Sequence, residues 1–336
     1  MPGLLVDAYD AVLLDLDGVV YLGPVAVPEA TESLAALRRR GVHVGFVTNN
    51  AARPPAAVSA HLVELGIAAG ADDVVTAAQA GARLVVERVG VGAKVLVVGG
   101  EGVREALAET GLVGVESVDD EPVAVLQGWG VDLTWQQLNE AAIAIHRGAL
   151  WVATNVDPTR PTDRGLVPGN GAAVAAVRMA VEVEPEVAGK PYPPLLAVTA
   201  ERLGTTRPLF VGDRLDTDIA GAVNARMDSM LVLTGSHGPA DLLAAPSGSR
   251  PTHLGHDLRD LLAPARTVQI DGDQARCGNA VVAAGAALEL TGGGVGSPRA
   301  QGDALWAAAA LAWRAADAGR HLDSDAFLAV LSGRHD

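Results

Sequence analysis

The segment AVLLDLDGVVY, residues 11–21, places two carboxylates one residue apart at the end of an apolar run. Residues i and i+2 of a strand point to the same side, so Asp15 and Asp17 are expected to lie close together. Like charges at such a distance are unfavourable unless a cation neutralises them. A surface turn that carries two acids by chance is the simpler interpretation, and a metal site at the end of a strand is the alternative.

Polar residues also end other apolar runs of the sequence. Thr48 and Asn49 end the run that starts at residue 43, and Asp213 ends the run RPLFVG. Lys190 precedes a predicted helix. Only two of the 25 Lys and Arg residues are lysines, at positions 94 and 190, so lysine is rare in this chain. In doubly wound α/β folds the functional crevice lies beyond the carboxyl ends of the strands, so these residues are predicted to meet there.

The acidic residues of this set suit phosphoryl transfer. The Asp15 carboxylate can attack phosphorus, and Asp17 can protonate the leaving oxygen and then take a proton from water. Mg²⁺ prefers oxygen ligands, which the carboxylates of Asp15 and Asp213 and the main-chain carbonyl of Asp17 can supply. These residues therefore favour the metal-site interpretation over a chance surface turn.

The remaining residues of the set suit binding of the phosphoryl group. Thr48 and Asn49 can donate hydrogen bonds to its oxygens, and Lys190 supplies a compact positive charge for the developing negative charge. Gly18 has no side chain and so allows the main chain to come close to the phosphate.

Composition and charge exclude several other functions. The chain has 336 residues, 49% of them apolar, which is enough for two or three domains with real cores. A net charge of −15 argues against binding nucleic acid or an anionic membrane surface. No apolar stretch is long enough to span a bilayer, and no signal peptide is recognisable. Cys277 is the single cysteine, so no internal disulfide forms, and a reducing cytoplasm is expected.

The order of apolar and amphipathic stretches predicts an α/β protein. It is expected to have a Rossmann-like, doubly wound parallel sheet core, an inserted α/β domain and a small C-terminal α+β module. The core comprises residues 1–79 and 185–264, the inserted domain residues 80–184, and the module residues 265–336. In the module, the Asp-Gly pair of TVQIDGDQA predicts a β-hairpin and GGGVGSP predicts a loop before a helix.

Four segments in order resemble the motifs of the haloacid dehalogenase superfamily of phosphatases. They are DLDGVVY at 15–21, TNN at 48–50, KP at 190–191 and GDRLDTDI at 212–219. The long insertion between the second and third segments resembles a C2-type cap. The fourth segment and residues 153–172 are similar to the 4-nitrophenyl phosphatase and nucleotide phosphatase subgroup. The module is similar to a fragment of the N-acetyltransferase fold.

The resemblance implies a role for each matched residue. Asp15 is expected to be the nucleophile and Asp17 the acid and base, while Asp15, Asp17 and Asp213 bind Mg²⁺. Gly18, Thr48, Asn49 and Lys190 are expected to bind phosphate, and Asp218 to support the metal waters or Lys190. The candidates for substrate contacts in the cap are Asn155, Asp157, Arg160 and Arg164.

The resemblance implies a Mg²⁺-dependent phosphomonoesterase for a small phosphorylated metabolite. Glycerol 3-phosphate is the expected substrate, and phosphoglycolate, a nucleoside monophosphate and pyridoxal phosphate are alternatives. A phospho-accepting signalling receiver uses similar residues but lacks the second acid and the cap. A metal-dependent glycosyltransferase would need a nucleotide-sugar pocket, for which the sequence offers no support. The sequence leaves homo-oligomerisation open.

Overall fold

The computed structural model describes residues 3–162 and 164–333, which divide into two compact units. Unit 1 comprises the described parts of residues 1–44 and 206–336, and unit 2 comprises those of residues 45–205. The division into core, cap and C-terminal module follows other boundaries and stays a prediction.

The strands, in chain order, are β1 (Ala11–Leu14), β2 (Tyr21–Leu22), β3 (Val25–Ala26), β4 (His43–Thr48), β5 (Val74–Thr76), β6 (Lys94–Val98), β7 (Val113–Val115), β8 (Ala124–Gln127), β9 (Leu150–Ala153), β10 (Thr159–Thr162), β11 (Gly165–Pro168), β12 (Glu186–Val187), β13 (Pro208–Gly212), β14 (Asp228–Val232), β15 (His253–Gly255), β16 (Val268–Asp271), β17 (Gln274–Cys277), β18 (Ala280–Ala284) and β19 (Leu288–Gly292).

The α-helices are α1 (Ala30–Arg39), α2 (Pro55–Glu64), α3 (Ala77–Val89), α4 (Glu101–Glu109), α5 (Trp135–His146), α6 (Asn170–Arg178), α7 (Pro194–Leu203), α8 (Ala220–Asn224), α9 (Pro239–Leu243), α10 (Pro298–Asp317) and α11 (Asp325–Leu331). A π-helical turn covers Leu215–Ile219 directly before α8. Among the described residues, no helix has both the length and the apolar character needed to cross a bilayer.

In unit 1 the strands β1, β13, β14 and β15 run parallel, in the order β15-β14-β13-β1. Every residue of β1 is buried, as is expected for a strand covered on both faces. β1 pairs with β13 from Ala11↔Pro208 to Leu14↔Val211, which places the residues that follow these two strands at the same edge.

Unit 2 contains a parallel five-stranded sheet in the order β12-β9-β8-β6-β7, and residues 46–48 of β4 pair in parallel with β5 in the same unit. Two of its helices begin at capping boxes, in which a Thr side chain accepts from the third helical residue: Thr76 with Gln79 at α3, and Thr134 with Gln137 at α5. β10 and β11 form a hairpin in the predicted cap segment.

The C-terminal residues of unit 1 form an antiparallel sheet in the order β16-β17-β18-β19, with α10 packed against it. Their buried side chains, among them Val282, Leu305 and Leu311, belong to one apolar cluster with Leu231 and Leu254 of the parallel strands. The C-terminal segment therefore shares an interior with the rest of unit 1.

The predicted α/β class is confirmed, and the apolar runs before Asp15, up to Thr48 and before Asp213 form β1, β4 and β13. The Asp-Gly hairpin is confirmed as β16 and β17, with Gly272 at φ 54° in the turn. One premise was wrong: β1 ends at Leu14, so Asp15 and Asp17 follow the strand and do not share one of its faces.

Candidate active site

Three carboxylates of unit 1 form the acidic cluster, which consists of Asp15, Asp213 and Asp218. One oxygen of each lies within 4.8 Å of those of the other two. Asp15 is half-buried directly after β1, and its N–H donates to the carbonyl of Val211 at 2.9 Å, which continues the strand pairing. Asp213 and Asp218 are each only 1% exposed. The sequence assigned Asp218 a supporting role beside the metal ligands, and its carboxylate lies within the cluster.

Main-chain N–H groups hold two of these carboxylates. Asp218 Oδ2 accepts from the N–H groups of Asp213 at 3.2 Å and Arg214 at 3.1 Å, and Asp213 Oδ2 accepts from the N–H of Ser236 at 2.6 Å. The π-helical turn brings Asp218 back towards the start of its own loop. Such turns are rare and often occur at functional sites.

Glycines provide the space that the cluster occupies. Gly18 has a φ of +85°, and a Cβ there would lie 2.5 Å from Asp213 Oδ2. A Cβ at Gly235 would collide with the same carboxylate, and one at Gly212 would collide with Asp218. Only glycine fits at these positions, because a real Cβ does not approach other atoms so closely.

The acidic cluster fits a divalent cation. Its like charges repel one another, and two of them are almost completely removed from solvent, where uncompensated charge is costly. Carboxylate oxygens are the ligands that Mg²⁺ prefers. Asp17 does not belong to this side-chain cluster: it is exposed in the turn after β1, where its main chain bridges to Tyr21.

His237 is a residue that the sequence reasoning missed. The ring Nδ1 of His237 accepts a hydrogen bond from the main-chain N–H of Leu215 at 2.7 Å. The main-chain N–H of His237 donates to the carbonyl of Asp213 at 3.2 Å. It therefore ties the loop after β14 to the start of the π-helical turn. No spacing in the sequence signals this role, because both bonds involve main-chain atoms of a segment more than 20 residues away.

Asp216 lies in the same turn but faces solvent. Arg214 donates two hydrogen bonds to its carboxylate, at 2.8 and 3.0 Å. Burial acts to raise the pKa of Asp216, but the hydrogen bonds and the charge of Arg214, together with the nearby His237 and a main-chain hydrogen bond, outweigh it and hold that pKa below its usual value. The Asp216 carboxylate is therefore paired with Arg214 at the surface of the turn.

A second group of functional candidates lies in unit 2, around Asn49. Asn49 Oδ1 accepts from the N–H of Lys190 at 2.8 Å, and its Nδ2 donates to the Lys190 carbonyl at 3.0 Å and to Asp157 Oδ2 at 3.2 Å. Thr48 is buried at the end of β4, and its Oγ1 accepts from the N–H of Asn50 at 3.0 Å. Lys190 is 2% exposed.

The four cap candidates have different surroundings. Asn155 is buried, and its Nδ2 donates to the Asn49 carbonyl at 2.7 Å. Asp157 is half-buried and accepts from Asn49. The guanidinium of Arg160 lies 4.0 Å from the ring centroid of Trp129. Arg164 is exposed in the turn between β10 and β11.

Cys277 does not have the character of a nucleophile. The thiol is buried in β17, and burial, followed by the nearby Asp303 carboxylate, raises its pKa to about 11. Almost none of it is ionised near neutral pH, and the thiolate is the reactive form.

Two family models match this chain. A haloacid dehalogenase-like hydrolase model matches residues 12–113, and a second model of a similar hydrolase matches residues 187–261. The first range includes Asp15 and Thr48, and the second includes Lys190 and Asp213. Both matches end before the antiparallel sheet begins.

Individual proteins are similar over longer ranges. D-glycerol 3-phosphate phosphatase of Mycobacterium tuberculosis is 45% identical over 313 residues, which cover 90% of this chain and 87% of the relative. The 5'-nucleotidase YutF of Bacillus subtilis is 38% identical over 230 residues, 68% of this chain and 88% of the relative. A crystal structure of the Mycobacterium tuberculosis glycerol phosphate phosphatase with magnesium has a TM-score of 0.82 and 40% identity, covering 94% of this chain and 93% of that one.

Proposed function

Since this chain belongs to the haloacid dehalogenase-like hydrolase family, we propose that it hydrolyses glycerol 3-phosphate to glycerol and phosphate. The observation that carries the hydrolase chemistry is the buried acidic cluster beside Gly18. The choice of substrate is supported by the similarity to the Mycobacterium tuberculosis phosphatase, which extends through most of both chains.

We assign the metal site to the residues after β1 and β13. The carboxylates of Asp15 and Asp213 and the main-chain carbonyl of Asp17 are the proposed ligands of Mg²⁺, and Asp218 supports them. When bound, Mg²⁺ neutralises the negative charge of the carboxylates and of the phosphoryl group. The proximity of the three carboxylates supports this assignment.

The proposed reaction has two halves. An Asp15 oxygen attacks phosphorus while the ester oxygen leaves with a proton from Asp17, which gives an aspartyl-phosphate and the free alcohol. Asp17 then takes a proton from water, and the water oxygen attacks phosphorus. The bond between phosphorus and Asp15 breaks, which releases inorganic phosphate and restores both side chains.

Other residues bind the phosphoryl group in this proposal. Gly18, Thr48, Asn49 and Lys190 hold its oxygens, and the charge of Lys190 compensates the negative charge of the transition state. The contacts of Asn49 with the main chain of Lys190 support a joint role for these two residues.

A nucleoside monophosphate is the second candidate substrate, because a 5'-nucleotidase is among the relatives. Steady-state kinetics with glycerol 3-phosphate, nucleoside monophosphates, phosphoglycolate and pyridoxal phosphate should rank glycerol 3-phosphate highest by kcat/KM. A ranking near the bottom would reject the proposed substrate but leave the phosphatase reaction intact.

The role of Asp15 is tested by Asp15→Asn. The amide keeps the shape of the side chain but is not a nucleophile, so kcat should fall by at least about 10³-fold. Circular dichroism and the melting temperature serve as controls for folding. Near-normal turnover by a folded variant would eliminate Asp15 as the nucleophile.

We further propose a cytoplasmic enzyme with small-molecule substrates and no nucleic-acid partner, on the basis of its charge and its single cysteine. The proposed architecture is a core of residues 1–79 and 185–264, a C2-type cap of residues 80–184, and a C-terminal module with a structural or oligomerisation role.

A further inference from the structure

Asn155 has both polar atoms of its side chain engaged by protein. Its Nδ2 donates to the carbonyl of Asn49 at 2.7 Å, and its Oδ1 accepts from the N–H of Asp157 at 3.2 Å. The residue is only 4% exposed. These contacts hold the main chain at Asn49 and at Asp157, whose side chains are hydrogen-bonded to each other.

Two further buried amide residues, Asn170 and Gln127, belong to the hydrogen-bond network that holds the main chain of Asn155. Asn170, at the start of α6, donates from Nδ2 to the Asn155 carbonyl at 2.7 Å and to the Gln127 carbonyl at 3.4 Å. The Trp151 indole in turn donates to Gln127 Oε1 at 3.0 Å. Asn170 is 2% and Gln127 is 0% exposed. Buried bonds of this kind are costly to break, so the position of Asn155 is well defined.

The packing around Asn49 leaves little room for it to move. A Cβ added at Gly189 would lie 2.7 Å from Asn49 Oδ1, 2.5 Å from the Thr154 carbonyl and 3.2 Å from the Asn155 Cβ. The main chain before Lys190 thus lies directly against Asn49 and the segment that carries Asn155.

We propose that Asn155 is a positioning residue for phosphate binding. By holding the carbonyl of Asn49, it keeps the Asn49 amide bonded to the main chain of Lys190 and so orients both residues for the phosphoryl group. This inference rests on the proposed function, in which Asn49 and Lys190 bind phosphate. It assigns Asn155 an indirect role, in contrast to the substrate contact considered from the sequence.

Two variants of Asn155 and one control test the proposal. Asn155→Asp keeps an acceptor for the Asp157 N–H but places an acceptor against the Asn49 carbonyl. Asn155→Ser removes the same donor without adding charge, so it serves if the first variant does not fold. Thr154→Val is the matched control, because Thr154 is 0% exposed and its Oγ1 has no hydrogen-bond partner among the described residues.

The first readout is phosphate affinity, measured by calorimetry with inorganic phosphate in the presence of Mg²⁺, together with the KM for the phosphate ester. The dissociation constant for inorganic phosphate and the KM for the ester should both rise about 10-fold or more in the Asn155 variants. The Mg²⁺ activation constant should stay within about 2-fold, because other segments hold the acidic cluster, and Thr154→Val should match the wild type.

Each contrary result has a distinct meaning. A purely structural role would lower kcat through the folded fraction and leave KM and phosphate affinity unchanged. A direct contact with the alcohol part of the substrate would raise KM without changing the affinity for inorganic phosphate. Either result would overturn the proposal. Because calorimetry needs no turnover, it also decides the matter if glycerol 3-phosphate is not the substrate.

A double-mutant cycle with Asn49→Ala gives a second readout. If Asn155 acts through the Asn49 side chain, Asn155→Ser should weaken phosphate binding further by less than about 2-fold once that side chain is gone. Full additivity of the two effects would contradict the proposal.

Discussion

Asp15 and Asp17 differ in their surroundings although only one residue separates them. Asp15 is half-buried, belongs to the acidic cluster and is fixed through its N–H to the strand β13. Asp17 is exposed in the turn that follows. The contrast suits the two proposed roles, because a nucleophile must be held in place whereas an acid and base must exchange protons with water.

At the residue scale, the two acids of the π-helical turn should differ in their effect on Mg²⁺. Asp218→Asn keeps an acceptor for the N–H groups of Asp213 and Arg214 but loses one charge of the acidic cluster. The Mg²⁺ activation constant should rise about 10- to 100-fold. Activity measured against Mg²⁺ concentration, with Asp216→Asn as the control, tests this; equal shifts in both variants would contradict it.

At the element scale, the loops after β13 and β14 form the acidic site through their main chains. Ser236 donates to Asp213, His237 accepts from Leu215, and Gly235 leaves the space that the Asp213 carboxylate fills. The site therefore depends on loop conformation as much as on the acidic side chains.

Gly235→Ala should disrupt this loop arrangement. The added Cβ collides with the Asp213 carboxylate, so either the loop or the carboxylate must move, and kcat/KM should fall about 100-fold or more. Gly238→Ala, three residues along, is the control, because its Cβ would meet only Asp241 Oδ2 at 4.0 Å. Steady-state kinetics of the two variants test this prediction. Similar kcat/KM values would show that the close approach of Gly235 to the Asp213 carboxylate is unimportant.

At the scale of the whole molecule, the C-terminal segment is an integral part of unit 1. Leu215 and Ile219, in the π-helical turn, belong to the same apolar cluster as Val282 and Trp306. Arg266 adds a polar connection: it is bonded to the Leu254 carbonyl at 2.6 Å, to Asp260 and to Asp303, with only 3% of its side chain exposed.

The ion pairs of Arg266 with Asp260 and Asp303 should contribute far more to stability than the ion pairs of Arg299 with the same two aspartates. Arg266→Met leaves two shielded carboxylates without their buried partner and should lower the free energy of unfolding by about 3–5 kcal/mol. Arg299 also contacts Asp260 and Asp303, but its side chain is 42% exposed, so Arg299→Met should cost about 0–1 kcal/mol. Urea unfolding measures the loss in the free energy of unfolding for both variants. Equal losses would contradict the larger contribution of Arg266.

Sequence patterns predicted those features that depend on runs of buried side chains. The apolar run 43–48 predicts β4 correctly, and the strand ends locate Asp15, Thr48 and Asp213. β2 with β3, and β10 with β11, were not predicted, because strands of two to four residues contain too few alternations to be recognised.

The hydrogen bonds that support the site could not be predicted for a different physical reason. Asn155 was a candidate for substrate contact, but its bond to the Asn49 carbonyl, like the bonds of Ser236 and His237, involves main-chain groups of distant segments. Every residue has those groups, so their pairing depends on the folded path of the chain and leaves no mark on residue type or spacing.

The burial of Lys190 has a practical consequence for conjugation chemistry. Lys94 is the other lysine, and it is exposed at the start of β6. An amine-reactive fluorophore therefore has one accessible lysine side chain to modify, while Lys190 is shielded. The native chain thus offers a site for attaching a dye or a surface without first introducing a cysteine.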